Sequence, residues 1–203
     1  MFNNVFKIVF LLCFITGAAA RALGVRQSGY QRDKRQKFTP VEGILLFLVF
    51  LGMQLLPLIY VFSPWFAFAD YPLPGWLSHL LGWTGAGVFV AAIWLLWRSH
   101  ADLGRSFSPG LEILDDHTLV TEGVFRYIRH PMYAAHVLWS VAQLILLQNW
   151  IAGPAMLVAQ IPLYLYRIPR EEHMMLMQFG EDYRRYLHRT GRLLPRFNTG
   201  ESD

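Results

Sequence analysis

The sequence predicts an all-α integral membrane protein with five transmembrane helices. Its composition and its long apolar runs support this prediction. Of the 203 residues, 54% are hydrophobic and 16% are charged, whereas about a quarter of the residues in a soluble domain are charged. Residues 43–69, 71–97 and 131–166 contain no Asp, Glu, Lys or Arg. A membrane-spanning helix needs roughly 20 apolar residues, so each of the first two runs holds one span.

The third apolar run is 36 residues long, which suits two spans better than one. Its centre reads LLQNWIAGP, and a turn is predicted at Gln148 and Asn149. Two antiparallel helices joined by a tight hairpin fit this length. The five predicted spans are residues 1–22, 43–63, 76–97, 131–148 and 150–168. A polar loop at 98–130 connects spans 3 and 4, and a C-terminal helix and tail follow at 169–203.

The first span has two interpretations. NVFKIVFLLCFITGAAARA combines one Lys, an apolar stretch and small residues, which resembles a signal peptide with an A-x-A cleavage site. Six basic residues then follow between Arg21 and Lys37, and such a cluster resists translocation. We therefore expect a retained span, with a cleaved leader as the alternative.

The basic residues predict the orientation in the membrane. They are concentrated between spans 1 and 2, between spans 3 and 4, and after span 5. The positive-inside rule then places the N-terminus outside and both large polar segments in the cytoplasm. Because the basic residues flank spans instead of forming a separate domain, nucleic-acid binding is not predicted. Cys13 is the only cysteine, which excludes a disulfide within the chain and a cysteine metal site; no metal is expected.

The start of the C-terminal segment, RIPREE, carries acids that can be explained in two ways. If Pro169 opens a new helix, Glu171 and Glu172 lie in its first turn, where the helix dipole favours them. If the helix of span 5 continues through Pro169, Arg167 and Glu171 share one face because they are four residues apart. An ionisable pair where lipid meets water is a functional candidate. An ordinary helix-surface ion pair is the alternative.

The stretch RYIRHPMY, residues 126–133, opens span 4. Pro131 suits the first position of a helix, and the free N–H groups of a helix N-terminus form a favourable anion site. Arg126 and Arg129 add positive potential and are expected to serve membrane orientation. The predicted hairpin makes spans 4 and 5 neighbours, so this helix start is expected to meet the Arg167 end of span 5.

Three stretches, HTLVTEGVFRYIRHPMY, RIPREE and FGEDYRRYLHRTGRLLP, together resemble the isoprenylcysteine carboxyl methyltransferase family, which is related to the phospholipid methyltransferases. The resemblance covers about Ser106 to Pro195, and the five-span size suits a short prokaryotic-type member. It implies S-adenosyl-L-methionine as cofactor. It also implies that the cytosolic loop and the C-terminal helix form the cofactor site with the last two spans.

The resemblance also implies roles for individual residues. Arg167 matches the catalytic arginine near the substrate carboxylate. Phe125 stands where the family usually has Tyr, and Ser106-Phe107 stands where it often has Asn-Trp. The roles of Glu112 and Glu172 stay open. The residues expected to bind the cofactor are His117, Thr118, Leu119, Val120, Phe125, His130, Pro131, Met132, Tyr133 and Glu171.

The function implied is methyl transfer from S-adenosyl-L-methionine to the carboxylate of an isoprenylcysteine or a similar lipid-like acid. The reaction is expected at the cytosolic face of the membrane, which is the plasma membrane in a prokaryote. The expected partners are a lipid-like or prenylated substrate and membrane lipids. Phospholipid amine N-methylation, an NADPH-dependent membrane reductase and a non-catalytic scaffold are the alternatives. The physiological acceptor and the oligomeric state stay open.

Overall fold

The computed structural model describes residues 2–28, 39–104 and 118–197, and these residues form helices without a β-strand. A π-helical turn at Leu51–Leu55 joins the helices Pro40–Phe50 and Leu56–Phe62, so Pro40–Phe62 is one continuous helical span. The prediction of an all-α protein is confirmed for this part of the chain. The α-helices are α1 (Phe2–Gln27), α2 (Pro40–Phe50), α3 (Leu56–Phe62), α4 (Gly75–Leu103), α5 (Pro131–Leu147) and α6 (Ala155–Arg189).

Three helical stretches are long and apolar enough to cross a membrane, namely Val5–Gln27, Pro40–Phe62 and Gly75–Leu103. Large apolar side chains cover their outer faces, as Ile44, Phe47 and many others show. The chain is therefore an integral membrane protein. Five spans stay a prediction, because α5 has 17 residues and α6 combines an apolar first half with a charged second half.

The core lies where α1, α4 and α5 pack against one another. Trp139 of α5 is 1% exposed, and its ring centroid lies 4.6 Å from that of Phe89 on α4. Glycines allow this close approach. A Cβ atom on Gly17 would lie 2.4 Å from Trp139, and one on Gly82 would lie 2.1 Å from Phe6. Larger residues at these two positions would separate the helices.

The hairpin between α5 and α6 is held by side-chain amides. Gln148 ends α5 in the left-handed conformation, with φ 38°. The Asn149 amide nitrogen donates to the carbonyl of Phe66 at 2.7 Å and to Asp70 at 2.8 Å. These contacts hold the hairpin to the connection between α3 and α4, at the end of the molecule opposite RYIRHPMY.

Helix α6 passes through Pro169 without interruption and changes direction only at Gly180, where φ is 53° and ψ is −122°. The first-turn placement of Glu171 and Glu172 is therefore wrong, because both acids lie inside α6. A proline inside a helix removes one intrahelical hydrogen bond and clashes with the preceding turn, which favours a kink or a break. Contacts on both sides of Pro169, made by Arg167 and Glu171, hold α6 as one continuous helix.

The C-terminal segment after α6 returns to the entrance of α5. The N–H of Arg129 donates to the carbonyl of Gly191 at 2.9 Å, and the N–H of His130 donates to the carbonyl of Arg192 at 3.1 Å. The carbonyl of Tyr127 accepts in turn from Gly191 at 3.0 Å. RYIRHPMY is thus fixed by backbone pairing just before it enters the helix.

Candidate active site

Two ionic clusters lie side by side where the start of α5 meets the middle of α6. The Glu171 cluster consists of Glu42, Tyr133, Arg167 and Glu171. The Glu172 cluster consists of Arg129, Glu172 and Arg192. His130 contacts both acids and so connects the two clusters.

Arg167 is the buried cation of the Glu171 cluster. Its side chain is 9% exposed, and its Nε lies 3.4 Å from Oε1 of Glu171, one helical turn further along α6. On the other side, Nε lies 3.5 Å from Oε1 of Glu42, whose side chain is 5% exposed. The guanidinium therefore lies between two carboxylates from different helices.

Residues of α5 and α6 surround the other side of Glu171. The Tyr133 hydroxyl donates a hydrogen bond to Oε1 of Glu171, and Nδ1 of His130 lies 3.5 Å from Oε2. The rings of His130 and Tyr133 stack with their centroids 5.6 Å apart, and the hydroxyl of Tyr164 donates to the carbonyl of Tyr133 at 3.3 Å. Glu171 has a side chain that is 23% exposed, so it remains within reach of a ligand.

In the Glu172 cluster, one carboxylate receives several cationic donors. Nε of Arg129 lies 2.8 Å from Oε1 of Glu172, and Nη2 of Arg192 lies 2.6 Å from Oε2. Arg129 also donates to the carbonyl of Thr190 at 2.6 Å. Arg129 therefore contacts both α6 and the C-terminal segment, while its role in membrane orientation stays a prediction.

The ionic contacts shift the pKa of two of these groups. Burial raises the pKa of Glu172, but hydrogen bonds from His130, Arg129 and Arg192 outweigh burial and hold that pKa at about 2. Burial lowers the pKa of His130, but its hydrogen bonds to Glu171 and Glu172 outweigh burial and raise the pKa. Glu172 is therefore ionised at neutral pH, and the protonated form of His130 is favoured.

Three of the other expected cofactor residues, Phe125, Pro131 and Met132, make contacts outside the two ionic clusters. Phe125 is buried, and its carbonyl accepts a hydrogen bond from the Tyr186 hydroxyl at 2.7 Å. Pro131 is the buried first residue of α5, and Met132 packs against the hydrophobic core. Thr118, Leu119 and Val120 form an irregular stretch, exposed at Thr118 and half-buried after it. His117, Glu112 and Ser106-Phe107 lie outside the residues that the structure describes.

The structure adds residues that the sequence patterns did not single out for the site. Glu42 comes from α2, and Tyr164 comes from α6. Arg21 on α1 is exposed, and its guanidinium interacts electrostatically with Arg167, Tyr133 and Tyr164. The available signal was charge inside a span, because Glu42 is the only Asp, Glu, Lys or Arg between Pro40 and Phe62, and such residues mark functional sites.

Residues 85–177, which include His130, Tyr133, Arg167 and Glu171, match the model of the isoprenylcysteine carboxyl methyltransferase (ICMT) family. This segment is similar to that family. It carries α5, the first part of α6 and most of both ionic clusters, so the resemblance seen in the sequence is confirmed. The prokaryotic-type assignment stays a prediction.

Curated relatives match part of this chain. The chain is 38% identical over 97 residues to protein-S-isoprenylcysteine O-methyltransferase B of Arabidopsis thaliana, covering 47% of this chain and 49% of that protein. It is 33% identical over 144 residues to the protein-S-isoprenylcysteine O-methyltransferase of Tribolium castaneum, covering 66% of this chain and 49% of that protein. The chain thus spans about half the length of these relatives.

A solved structure has a similar fold. The eukaryotic intramembrane Ras methyltransferase ICMT superposes with a TM-score of 0.59 and 24% sequence identity. The alignment covers 95% of this chain and 67% of that one. The fold similarity therefore extends over α1 to α4 as well as over the family segment.

Proposed function

We propose that this protein transfers the methyl group of S-adenosyl-L-methionine to the carboxylate of an isoprenylcysteine or a similar lipid-like acid. One observation carries the proposal: a buried arginine, Arg167, contacts Glu171, which binds Tyr133 in the first turn of α5, and all three lie within the segment that matches the methyltransferase family. The names of the curated relatives support the same reaction.

The donor groups at the site fit the amino-acid part of S-adenosyl-L-methionine. The start of α5 offers backbone N–H groups that suit a carboxylate. Glu171 is partly exposed and suits a cationic amine. His130, Tyr133 and Glu171 would hold the cofactor together with residues 117–120 of the loop. When bound, the cofactor supplies an electrophilic methyl group on a sulfonium.

Arg167 would hold the acceptor carboxylate. A carboxylate is already ionised at neutral pH, so the residues of this site need not remove a proton. A guanidinium stays charged and offers a fork of donors that fixes the carboxylate in direction. Glu42 and Glu171 reduce the net positive charge around Arg167. The arginine can therefore orient the acceptor carboxylate without strongly lowering the nucleophilicity of that carboxylate.

The protonation states of the site disfavour methylation of a phospholipid amine. An ammonium must lose a proton before it can attack, so that reaction needs a base near neutral pH. Glu172 has a pKa of about 2, which makes it a weak base. Both ring nitrogens of His130 face carboxylates of the site, Nδ1 facing Glu171 and Nε2 facing Glu172.

The acceptor tail is proposed to enter from the lipid, between helices whose outer faces are apolar. The positive-inside rule places α5's start, the loop before it and the C-terminal segment in the cytoplasm. The soluble cofactor then reaches the site from the cytosol. In a prokaryote this membrane is the plasma membrane.

Ligand binding and a panel of acceptors test the proposal. The Tm of the full chain in lipid nanodiscs is measured with S-adenosylhomocysteine or with NADPH. Separate samples are incubated with labelled S-adenosyl-L-methionine. The acceptors are N-acetyl-farnesylcysteine and phosphatidylethanolamine. We expect a higher Tm with S-adenosylhomocysteine alone and label on the farnesylcysteine. Stabilisation by NADPH indicates a reductase, label on the phospholipid indicates an amine methyltransferase, and no effect of either ligand indicates a scaffold.

A further inference from the structure

We infer that Glu42 is a positioning residue, which holds the Arg167 guanidinium in the direction needed to receive an acceptor carboxylate. The inference rests on the proposed function and extends it to α2. Glu42 lies before residue 85, outside the segment that matches the methyltransferase family. Its role is argued here from burial, contacts and charge.

The burial of Glu42 requires a cationic partner. The side chain is 5% exposed, and its Oε1 makes no hydrogen bond within the described part of the chain. A buried carboxylate without a compensating charge is strongly destabilising. Nε of Arg167, 3.5 Å away, supplies that charge. The two side chains therefore depend on each other although they lie 125 positions apart in the sequence.

The backbone around Glu42 is fixed against α6. Thr39 caps α2, and its Oγ1 accepts a hydrogen bond from the N–H of Glu42 at 3.2 Å. The same hydroxyl lies 2.9 Å from the hydroxyl of Tyr166, the neighbour of Arg167. Glu42 is also in the first turn of α2, where the helix dipole favours an anion. Its position relative to Arg167 is thus determined by two separate contacts.

The two acids beside Arg167 differ in what else they contact. Glu171 also binds Tyr133 and His130 and is partly exposed, so its contacts are expected to change when the cofactor binds. Glu42 is buried and faces Arg167 from the opposite helix. It is therefore the partner that keeps Arg167 in place while Glu171 engages the ligand.

Kinetics of substituted chains test the role of Glu42. Glu42→Gln keeps the shape of the side chain and removes its charge, so Arg167 should swing toward Glu171. A misplacement of about 1 Å lowers turnover about hundred-fold, so we expect kcat to fall about ten- to hundred-fold. The KM for S-adenosyl-L-methionine should stay unchanged. Glu42→Asp should restore part of kcat, and Glu181→Gln, at an exposed ion pair with Arg184, should match the wild type.

A thermal double-mutant cycle with Arg167→Met tests the coupling without turnover. In the wild-type background, Glu42→Gln should lower Tm because Arg167 loses a buried partner. In the Arg167→Met background, the same change should leave Tm unchanged or raise it, because it removes a stranded buried charge. The sign of the Tm change is therefore expected to depend on Arg167.

Distinct outcomes separate this inference from the proposed function. Equal Tm losses in both backgrounds, or a Glu42→Gln chain with wild-type kcat, overturn the role of Glu42. A drop in kcat together with weaker binding of S-adenosylhomocysteine also overturns it, because the defect then lies in the cofactor site. A wild-type chain that methylates no acceptor contradicts the proposed function, while the Tm cycle still decides whether Glu42 and Arg167 are coupled.

Discussion

At the scale of single residues, the site depends on how one buried cation is neutralised. Arg167 has Glu42 on one side and Glu171 on the other, so its charge is balanced before any substrate arrives. Arg129 and Arg192 do the reverse for Glu172, since two cations surround one anion. The first arrangement can receive an acceptor, whereas the second fixes the backbone around it.

Replacing Arg167 tests its role in holding the acceptor. Arg167→Ala should lower the rate of methyl transfer by at least about hundred-fold, because the acceptor carboxylate loses its oriented donor. The affinity for S-adenosylhomocysteine, measured by calorimetry, should change little. Arg184→Ala is the matched control, since Arg184 is an exposed arginine of the same helix and is paired with Glu181. An active Arg167→Ala chain shows that this arginine does not hold the acceptor.

The protonation of His130 predicts how stability depends on pH. Its pKa is raised in the folded chain, so its contribution is complete below the unfolded value of 6.5 and is lost as pH rises through the folded pKa. Glu172 contributes above its ordinary pKa of 4.5 and loses its contribution only near pH 2. His130→Gln should therefore lower Tm more at pH 6 than at pH 9. A Tm difference that does not change over this range shows that folding does not raise the pKa of His130.

These residues also show how far the sequence alone predicts the site. His130, Tyr133, Arg167 and Glu171 are close to one another along α5 and α6, so sequence motifs identify them. Glu42 contacts Arg167 only because α2 packs on α6, and no local pattern contains that information. Its one sequence signal was a carboxylate near the start of an apolar span.

At the scale of elements, the direction of the chain after α6 places the C-terminal segment beside the site. Gly180 changes the direction of α6, and the segment that follows α6 forms backbone hydrogen bonds with residues 127–130. Apolar runs in the sequence predict the helices well because hydrophobic length is a local property. Whether α6 passes through Pro169 depends on its neighbours, so the sequence left two interpretations open.

Substitution at Gly180 tests this change of direction. With φ 53° and ψ −122°, the residue has a conformation that side chains with a Cβ adopt only under strain. Gly180→Ala should therefore destabilise the fold by about 1–3 kcal/mol, although no atom of the described residues lies within 4 Å of the new methyl group. Gly87→Ala is the control, since it adds the same methyl group in open space on regular helix. Equal Tm values for the two variants exclude conformational strain at Gly180.

At the scale of the whole molecule, the polar groups are separated into two ends. The hairpin contacts of Asn149 with Phe66 and Asp70 form one end. The ionic clusters and the C-terminal segment form the other. The distribution of Lys and Arg predicts that the second end faces the cytoplasm.

Cysteine labelling tests the orientation. Cys13 is first replaced by Ser, and single cysteines are placed at Phe68 and Phe197, which are 80% and 70% exposed. In intact cells, a membrane-impermeant maleimide should label Phe68→Cys and should reach Phe197→Cys only after permeabilisation. The opposite pattern reverses the proposed topology and places the site on the outer face.

The central claim is that the Arg167 end of this molecule forms a methyl ester on a lipid-like acid. The most direct measurement is base-labile release of labelled methanol after incubation of the full chain with methyl-labelled S-adenosyl-L-methionine and N-acetyl-farnesylcysteine. The account predicts volatile label from the wild-type chain and almost none from Arg167→Ala. Label that is stable to base, or equal release from both chains, would contradict it.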